Sequence, residues 1–120
     1  MHRRTVRRAV DEFAERVADR IPDRLVEIVL YGSWARGTAR PDSDVDLLVV
    51  VESRDARITD LIQGAALDVD LEHMTFLSVK VCPVSKMDEM RRLGDPFLAA
   101  VQTEGRTVWT RTSRAASETA

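Results

Sequence analysis

Asp44-Val45-Asp46 opens a run of apolar residues that continues as Leu47, Leu48, Val49, Val50 and Val51. Side chains on a strand alternate between its two faces, so Asp44 and Asp46 share one side while Val45 and Leu47 take the other. Two carboxylates one pleat apart at the mouth of an oily strand are poor core material, because a buried charge is costly unless it is paired. They are good oxygen ligands for a hard cation. A second apolar run, Leu25 to Tyr31, ends in Gly32-Ser33, and ten residues, Trp34 to Ser43, lie between that dipeptide and Asp44. Gly32 allows close approach to the backbone, and free N–H groups and a hydroxyl after a strand can receive a phosphate. A cation-holding pair beside a phosphate cradle points to chemistry on a nucleoside triphosphate.

The rest of the chain reads as a scaffold for that stretch. Val6, Val10, Phe13, Val17 and Ile21 recur at helical spacing and predict an amphipathic helix from Thr5 to Arg20, stopped by Pro22-Asp23. Leu25 to Tyr31 predicts a buried strand. Ser33 is expected to cap a short turn, Trp34 to Arg36, that Gly37 ends in a left-handed conformation. Pro41 and Asp42 mark a loop. Val45 to Val51, apolar on both faces beyond Asp46, predicts a central strand.

From Asp55 to His73 two periods compete. Ile58, Leu61, Ile62, Ala65, Ala66 and Val69 follow helical spacing, while Leu67 to Leu71 also alternates like a strand and would then align Asp68 with Asp70. No turn signal splits the segment, so one long helix is expected, with those two acids away from the site. Phe76 to Val84 predicts a third strand, placed at an edge by Pro83. Ser85 is expected to cap a helix from Lys86 to Leu93. Pro96 opens a last helix through Glu104, and Arg106 to Thr110 can add a short strand. Residues 1–110 are expected to form one domain, and 111–120, small and polar, a flexible tail.

Composition narrows the function classes. The 120 residues fit one core, and no apolar run approaches the roughly 20 residues of a bilayer span. No apolar signal segment follows the N-terminal arginines, so a cytoplasmic site without membrane contact is expected. A lone cysteine, Cys82, excludes an internal disulfide and lacks the surroundings of a nucleophile. The net charge of −2 argues against direct nucleic-acid binding as the main role. Arg3, Arg4, Arg7 and Arg8 read as a solvated face. His2 and His73 lack zinc-ligand spacing.

Gly32-Ser33, a spacer of ten and Asp44-x-Asp46 on a strand resemble the signature of the nucleotidyltransferase superfamily that includes DNA polymerase β. The third strand, the following helix and the Asp95-Pro96-Phe97-Leu98…Glu104-Gly105 ending are similar to its small bacterial members, the minimal nucleotidyltransferases or MNT proteins. The resemblance runs loosely from Val6 to Trp109. It implies an α/β nucleotidyltransferase fold, a small central mixed sheet flanked by helices. It implies Asp44 and Asp46 as catalytic metal ligands for Mg²⁺, with ATP as substrate. It assigns Gly32 and Ser33 to the nucleotide phosphates, with Arg36 and Ser43 as further candidate nucleotide contacts.

Many MNT proteins are antitoxins that transfer AMP to a tyrosine of a cognate HEPN-domain RNase toxin, and such a toxin is the expected partner. Two alternatives stand beside it: a nucleotidyltransferase-like module that neutralises its partner by contact alone, and an enzyme acting on RNA or a small molecule. One departure from the superfamily pattern is plain. A third carboxylate usually follows on a later strand, but Thr75 to Met87 contains no acidic residue, and Ser78 and Lys80 stand where one is expected.

Overall fold

The computed structural model describes residues 1–111. Helix α1 spans Arg3–Arg20, β1 Leu25–Tyr31, α2 Ser33–Arg36, β2 Val45–Val51, α3 Ala56–His73, β3 Leu77–Pro83, α4 Val84–Arg92, α5 Pro96–Glu104 and β4 Arg106–Thr110. Residues 112–120 of the expected tail lie outside the described residues.

The four strands form one mixed sheet in the order β3-β2-β1-β4. β1 is antiparallel to both β2 and β4, whereas β2 and β3 are parallel. A parallel pair needs a crossover, and α3 supplies it. The two apolar faces of the sheet are covered by different helices. α1 and α3 lie on one face, where Phe13, Val17, Ile58 and Val69 bury Ile28, Leu47 and Val49. α4 and α5 cover part of the other, where Met87, Leu98 and Val101 pack on Val29, Leu48 and Val50. Fully burying one such side chain contributes roughly 1.5–3 kcal/mol, which is why β2, apolar from Leu47 to Val51, sits at the centre.

Both competing readings of Asp55 to His73 resolve as one helix. The Asp55 side chain caps it, accepting from Ile58 N at 2.8 Å. The end is fixed by Asp70, which accepts from Thr75 Oγ1 at 2.8 Å and from Leu77 N at 3.0 Å across a left-handed Met74. Asp68 turns to α1 and meets Arg20 at 3.1 Å. β3 is an edge strand, as Pro83 predicted, and side chains cover its outer carbonyls: Gln63 Nε2 donates to Val79 O at 3.1 Å and Arg54 to Val81 O at 3.0 Å. Such caps guard an edge against strand addition.

Three local expectations change. α1 starts two residues early, because His2 Nδ1 accepts from Arg4 N and serves as its cap. Ser33 does not cap α2: the capping position is Gly32, and Ser33 is the first helical residue. Ser85 does not cap α4 either. Pro83 ends the β3 ladder and occupies the cap position directly, so the helix begins at Val84.

Candidate active site

Tyr31 ends β1 opposite Asp46 on β2. The chain then turns through Gly32, whose φ of 76° and ψ of −157° fall in a region essentially reserved for glycine. This turn drops α2 beside the acidic end of β2. Ala35 N and Arg36 N both donate to Gly32 O, which leaves the first N–H groups of this short helix, those of Ser33 and Trp34, without helical acceptors. The contact with β2 is close: a Cβ built at Gly32 would stand 2.2 Å from Asp46 Oδ2. Asp46 and the Gly32-Ser33 backbone are therefore one surface, and only a residue without a side chain at position 32 permits it.

Asp44 is exposed just before β2, and Asp46 is half-buried within it. Val45 between them donates its N–H to Phe76 O at 2.9 Å, which ties the acidic pair to the start of β3. Burial raises the Asp46 pKa, and the neighbouring Asp44 charge raises it further; Lys80 and Arg36 pull it back down. An acid made uncomfortable by desolvation and by a like charge is relieved by a bound cation. The donor set fits a divalent ion of the Mg²⁺ type: two carboxylates, one of them abutting a glycine backbone, and a serine hydroxyl that no helix cap consumes.

The other candidates divide. Arg36 is turned toward α5, where it pairs with Glu104 at 3.1 Å, although its charge still reaches Asp46. Ser43 staples the loop: its carbonyl accepts from Trp34 Nε1 at 3.0 Å and its hydroxyl from Arg40 N at 2.9 Å. Its polar atoms thus hold the spacer in place. One aromatic neighbour was missed in the sequence. Phe97, set by the Asp95 cap of α5, meets Tyr31 edge-on with ring centroids 5.4 Å apart. The Lys80 ammonium lies 4.6 Å from the centre of that same Phe97 ring. Alternation along β3 could have placed Lys80 on the Asp46 face, but no sequence signal brings Phe97 to it.

Elsewhere, Glu12, Glu72 and His73 form a group of ligand-type side chains within 4.8 Å of one another. They join α1 to α3, and Arg16 holds both glutamates, Glu72 at 2.7 Å and Glu12 at 3.0 Å. His73 hydrogen-bonds Glu12, and this contact, then Arg16, keeps the Glu12 carboxyl below its ordinary pKa. The group is an ion-pair network between two helices. Arg3 and Arg7 of the basic N-terminus border a cavity of about 610 Å³ between α1, α2 and β4. Leu71, Met74 and Phe76 are exposed apolar side chains around the end of α3 and the approach to β3.

Residues 10–104 match the family model described as a nucleotidyltransferase domain. The chain belongs to that family. A curated relative, "Putative protein adenylyltransferase MJ1305" of Methanocaldococcus jannaschii, is 32% identical over 84 residues. That match takes in 70% of this chain and 56% of the relative, so the chain spans little more than half the relative's length. Among solved structures, a nucleotidyltransferase-type protein from Sulfolobus solfataricus superposes with a TM-score of 0.60 at 19% identity, covering 90% of this chain and 85% of that one. A toxin-antitoxin crystallised with AMP-PNP gives 0.55 at 22% identity, over 83% and 73% of the two chains. A mutant of the toxin-antitoxin MntA-HpeT gives 0.54 at 18%, with the same coverage. At these identities the structural likeness establishes the nucleotidyltransferase fold.

The described residues contain no helix long and apolar enough to cross a membrane.

Proposed function

We propose that this nucleotidyltransferase is an MNT-type antitoxin that transfers AMP from ATP to a hydroxyl, a tyrosine in the first instance, of a cognate HEPN-domain RNase toxin. The observation that carries the reading is the seat of the Asp46 carboxylate against Gly32, beside an uncommitted Ser33. In that arrangement Asp44 and Asp46 hold Mg²⁺, and the Gly32-Ser33 backbone and hydroxyl receive the phosphates. The bound ion supplies charge balance for the triphosphate and orientation for the attacking oxygen. The acceptor oxygen bonds to the α-phosphorus, the α–β phosphoanhydride bond breaks, pyrophosphate leaves, and the hydroxyl proton passes to solvent.

Two further observations support a protein acceptor and a toxin partner. The exposed Met74 and Phe76 adjoin the backbone tied to Val45, and apolar surface of this kind is what protein partners cover. Two of the superposed folds come from toxin-antitoxin structures, one of them holding an ATP analogue. The test is to mix the chain with the HEPN toxin, Mg²⁺ and ATP and to weigh the toxin intact. Its mass should rise by one or more AMP units with the wild type and stay constant with Asp46→Ala. The acid-free stretch Thr75 to Met87 favours a second reading, neutralisation by contact alone. Protection by Asp46→Ala with no mass change selects it.

A further inference from the structure

β3 lies parallel beside β2 with Ser78 opposite Asp46 and Lys80 opposite Leu48. Alternation puts Ser78, Lys80 and Cys82 on one face, the face of Asp46, Leu48 and Val50; Cys82, Leu48 and Val50 indeed share one core cluster. Lys80 is therefore one strand over and one pleat along from Asp46, roughly 8 Å between Cα atoms by strand spacing, a gap its stem can span. Among the described residues Lys80 takes part in no ion pair, unlike Arg36, whose charge Glu104 already meets. Its ammonium is instead held over the Phe97 ring, and Phe97 meets Tyr31, the β1 partner of Asp46. Cation–π attraction is modest where solvent reaches, about 0.5–1 kcal/mol, but it is enough to bias the ammonium toward the site side of an exposed edge strand.

The charges can then be counted. Asp44 and Asp46 carry two negative charges, which one divalent ion cancels. A second ion would arrive beside the Lys80 ammonium, and β3 offers it no carboxylate. Such an ion would find no acidic protein ligand on β3, only the phosphates and an Asp44-Asp46 pair already engaged by the first ion, and the Lys80 charge beside it would repel it.

We propose that Lys80 takes the place of the second metal ion that two-metal phosphoryl-transfer sites use, so that the site binds one divalent cation per nucleotide and the lysine adds positive charge at the phosphates. This rests on the nucleotidyltransferase reading of Asp44 and Asp46, and it sets the metal content of that same site. The ammonium lies over Phe97, whose ring meets Tyr31, and Tyr31 is the strand partner of Asp46, so a triphosphate seated on Gly32-Ser33 would bring its charge to the side of the sheet that Lys80 faces.

The test is to count Mn²⁺ by electron paramagnetic resonance on the full chain with one equivalent of AMP-PNP, and to measure AMP-PNP affinity in parallel. Wild type should hold one tightly bound Mn²⁺ per protein–nucleotide complex. Lys80→Ala should keep that count and weaken the nucleotide at least tenfold, and Lys80→Arg should restore affinity to within a few-fold. Two bound ions in the wild type overturn the proposal, as does unchanged affinity in Lys80→Ala. Absence of any nucleotide-dependent Mn²⁺ binding by the wild type instead removes the nucleotidyltransferase reading beneath it.

Discussion

Gly32 and Asp46 share a space that admits no further atom: a Cβ on residue 32 would fall 2.2 Å from Asp46 Oδ2 and 3.1 Å from its Cγ. Gly32→Ala therefore does two things at once. It forces a side chain into a backbone conformation that costs on the order of 1–3 kcal/mol, and it pushes the carboxylate off its seat. The expected outcome is a lower thermal midpoint together with loss of Mn²⁺–AMP-PNP binding, read by calorimetric melting and by titration. Retained binding with a lowered midpoint would separate the strain from the site and weaken the claim that the two residues act together.

Asp44 differs from Asp46 in being exposed, so its substitution tests the site with little effect on the fold. Asp44→Asn keeps the shape and removes one charge. Stability should change by no more than about 0.5 kcal/mol, as for most surface positions. Mg²⁺-dependent AMP-PNP affinity should fall at least tenfold, while affinity measured in EDTA stays the same for both proteins. Isothermal calorimetry with and without Mg²⁺ makes the comparison. Equal binding by wild type and variant in Mg²⁺ would remove Asp44 from the set of ligands.

How far the sequence reaches is visible in β2 and β3. β2 was legible to the residue, because a run apolar on both faces beyond Asp46 admits only a central position. The edge position of β3 followed from Pro83. What the sequence withheld was contact between distant segments. Phe97 reaches Lys80 and Tyr31 only because Asp95 caps α5 at a particular angle, and no local pattern encodes that meeting. The caps failed for a different reason. Ser33 and Ser85 are both good capping types, but Gly32 and Pro83 take the cap positions through backbone conformation, glycine by its unusual angles and proline by its fixed φ.

Asp68 and Asp70 lie in a segment where helix and strand periods overlap, and the helix decides their roles. Asp68 pairs with Arg20 at 3.1 Å between partly exposed side chains, an interaction worth at most about 1 kcal/mol. Asp70 holds Thr75, itself buried, and the first amide of β3. Asp70→Asn is expected to destabilise by about 1–2 kcal/mol, because the amide replaces a charged acceptor of two hydrogen bonds. Asp68→Asn should be nearly silent. Both should leave nucleotidyl transfer within a few-fold of wild type, whereas Asp44→Asn lowers it by orders of magnitude. Denaturant melts and transfer rates on the three variants test this, and a loss at Asp68 or Asp70 equal to that at Asp44 would place a third carboxylate in the site.

The raised pKa of Asp46 makes its ionised carboxylate a cost to the fold in metal-free protein. Burial is the largest cause, Asp44 the next, and Lys80 and Arg36 only partly offset them. The native chain thus holds this proton more firmly than the unfolded chain does, whose aspartates titrate near about 3.9. Stability falls as pH rises wherever the native state binds more protons, so this group's contribution is most favourable in acid and is lost as pH climbs through the native pKa. Asp46→Asn removes the penalty. The metal-free variant should melt above metal-free wild type at pH 7, and the gap should close as both are taken to about pH 3, where the carboxyl is mostly protonated in both states. Adding Mg²⁺ and AMP-PNP should reverse the order at pH 7, because only the wild type then gains the binding energy. Melting curves across that pH range, with and without ligands, carry the comparison. A metal-free variant no more stable than wild type at pH 7 would mean that Lys80 and Arg36 already compensate the carboxylate in full.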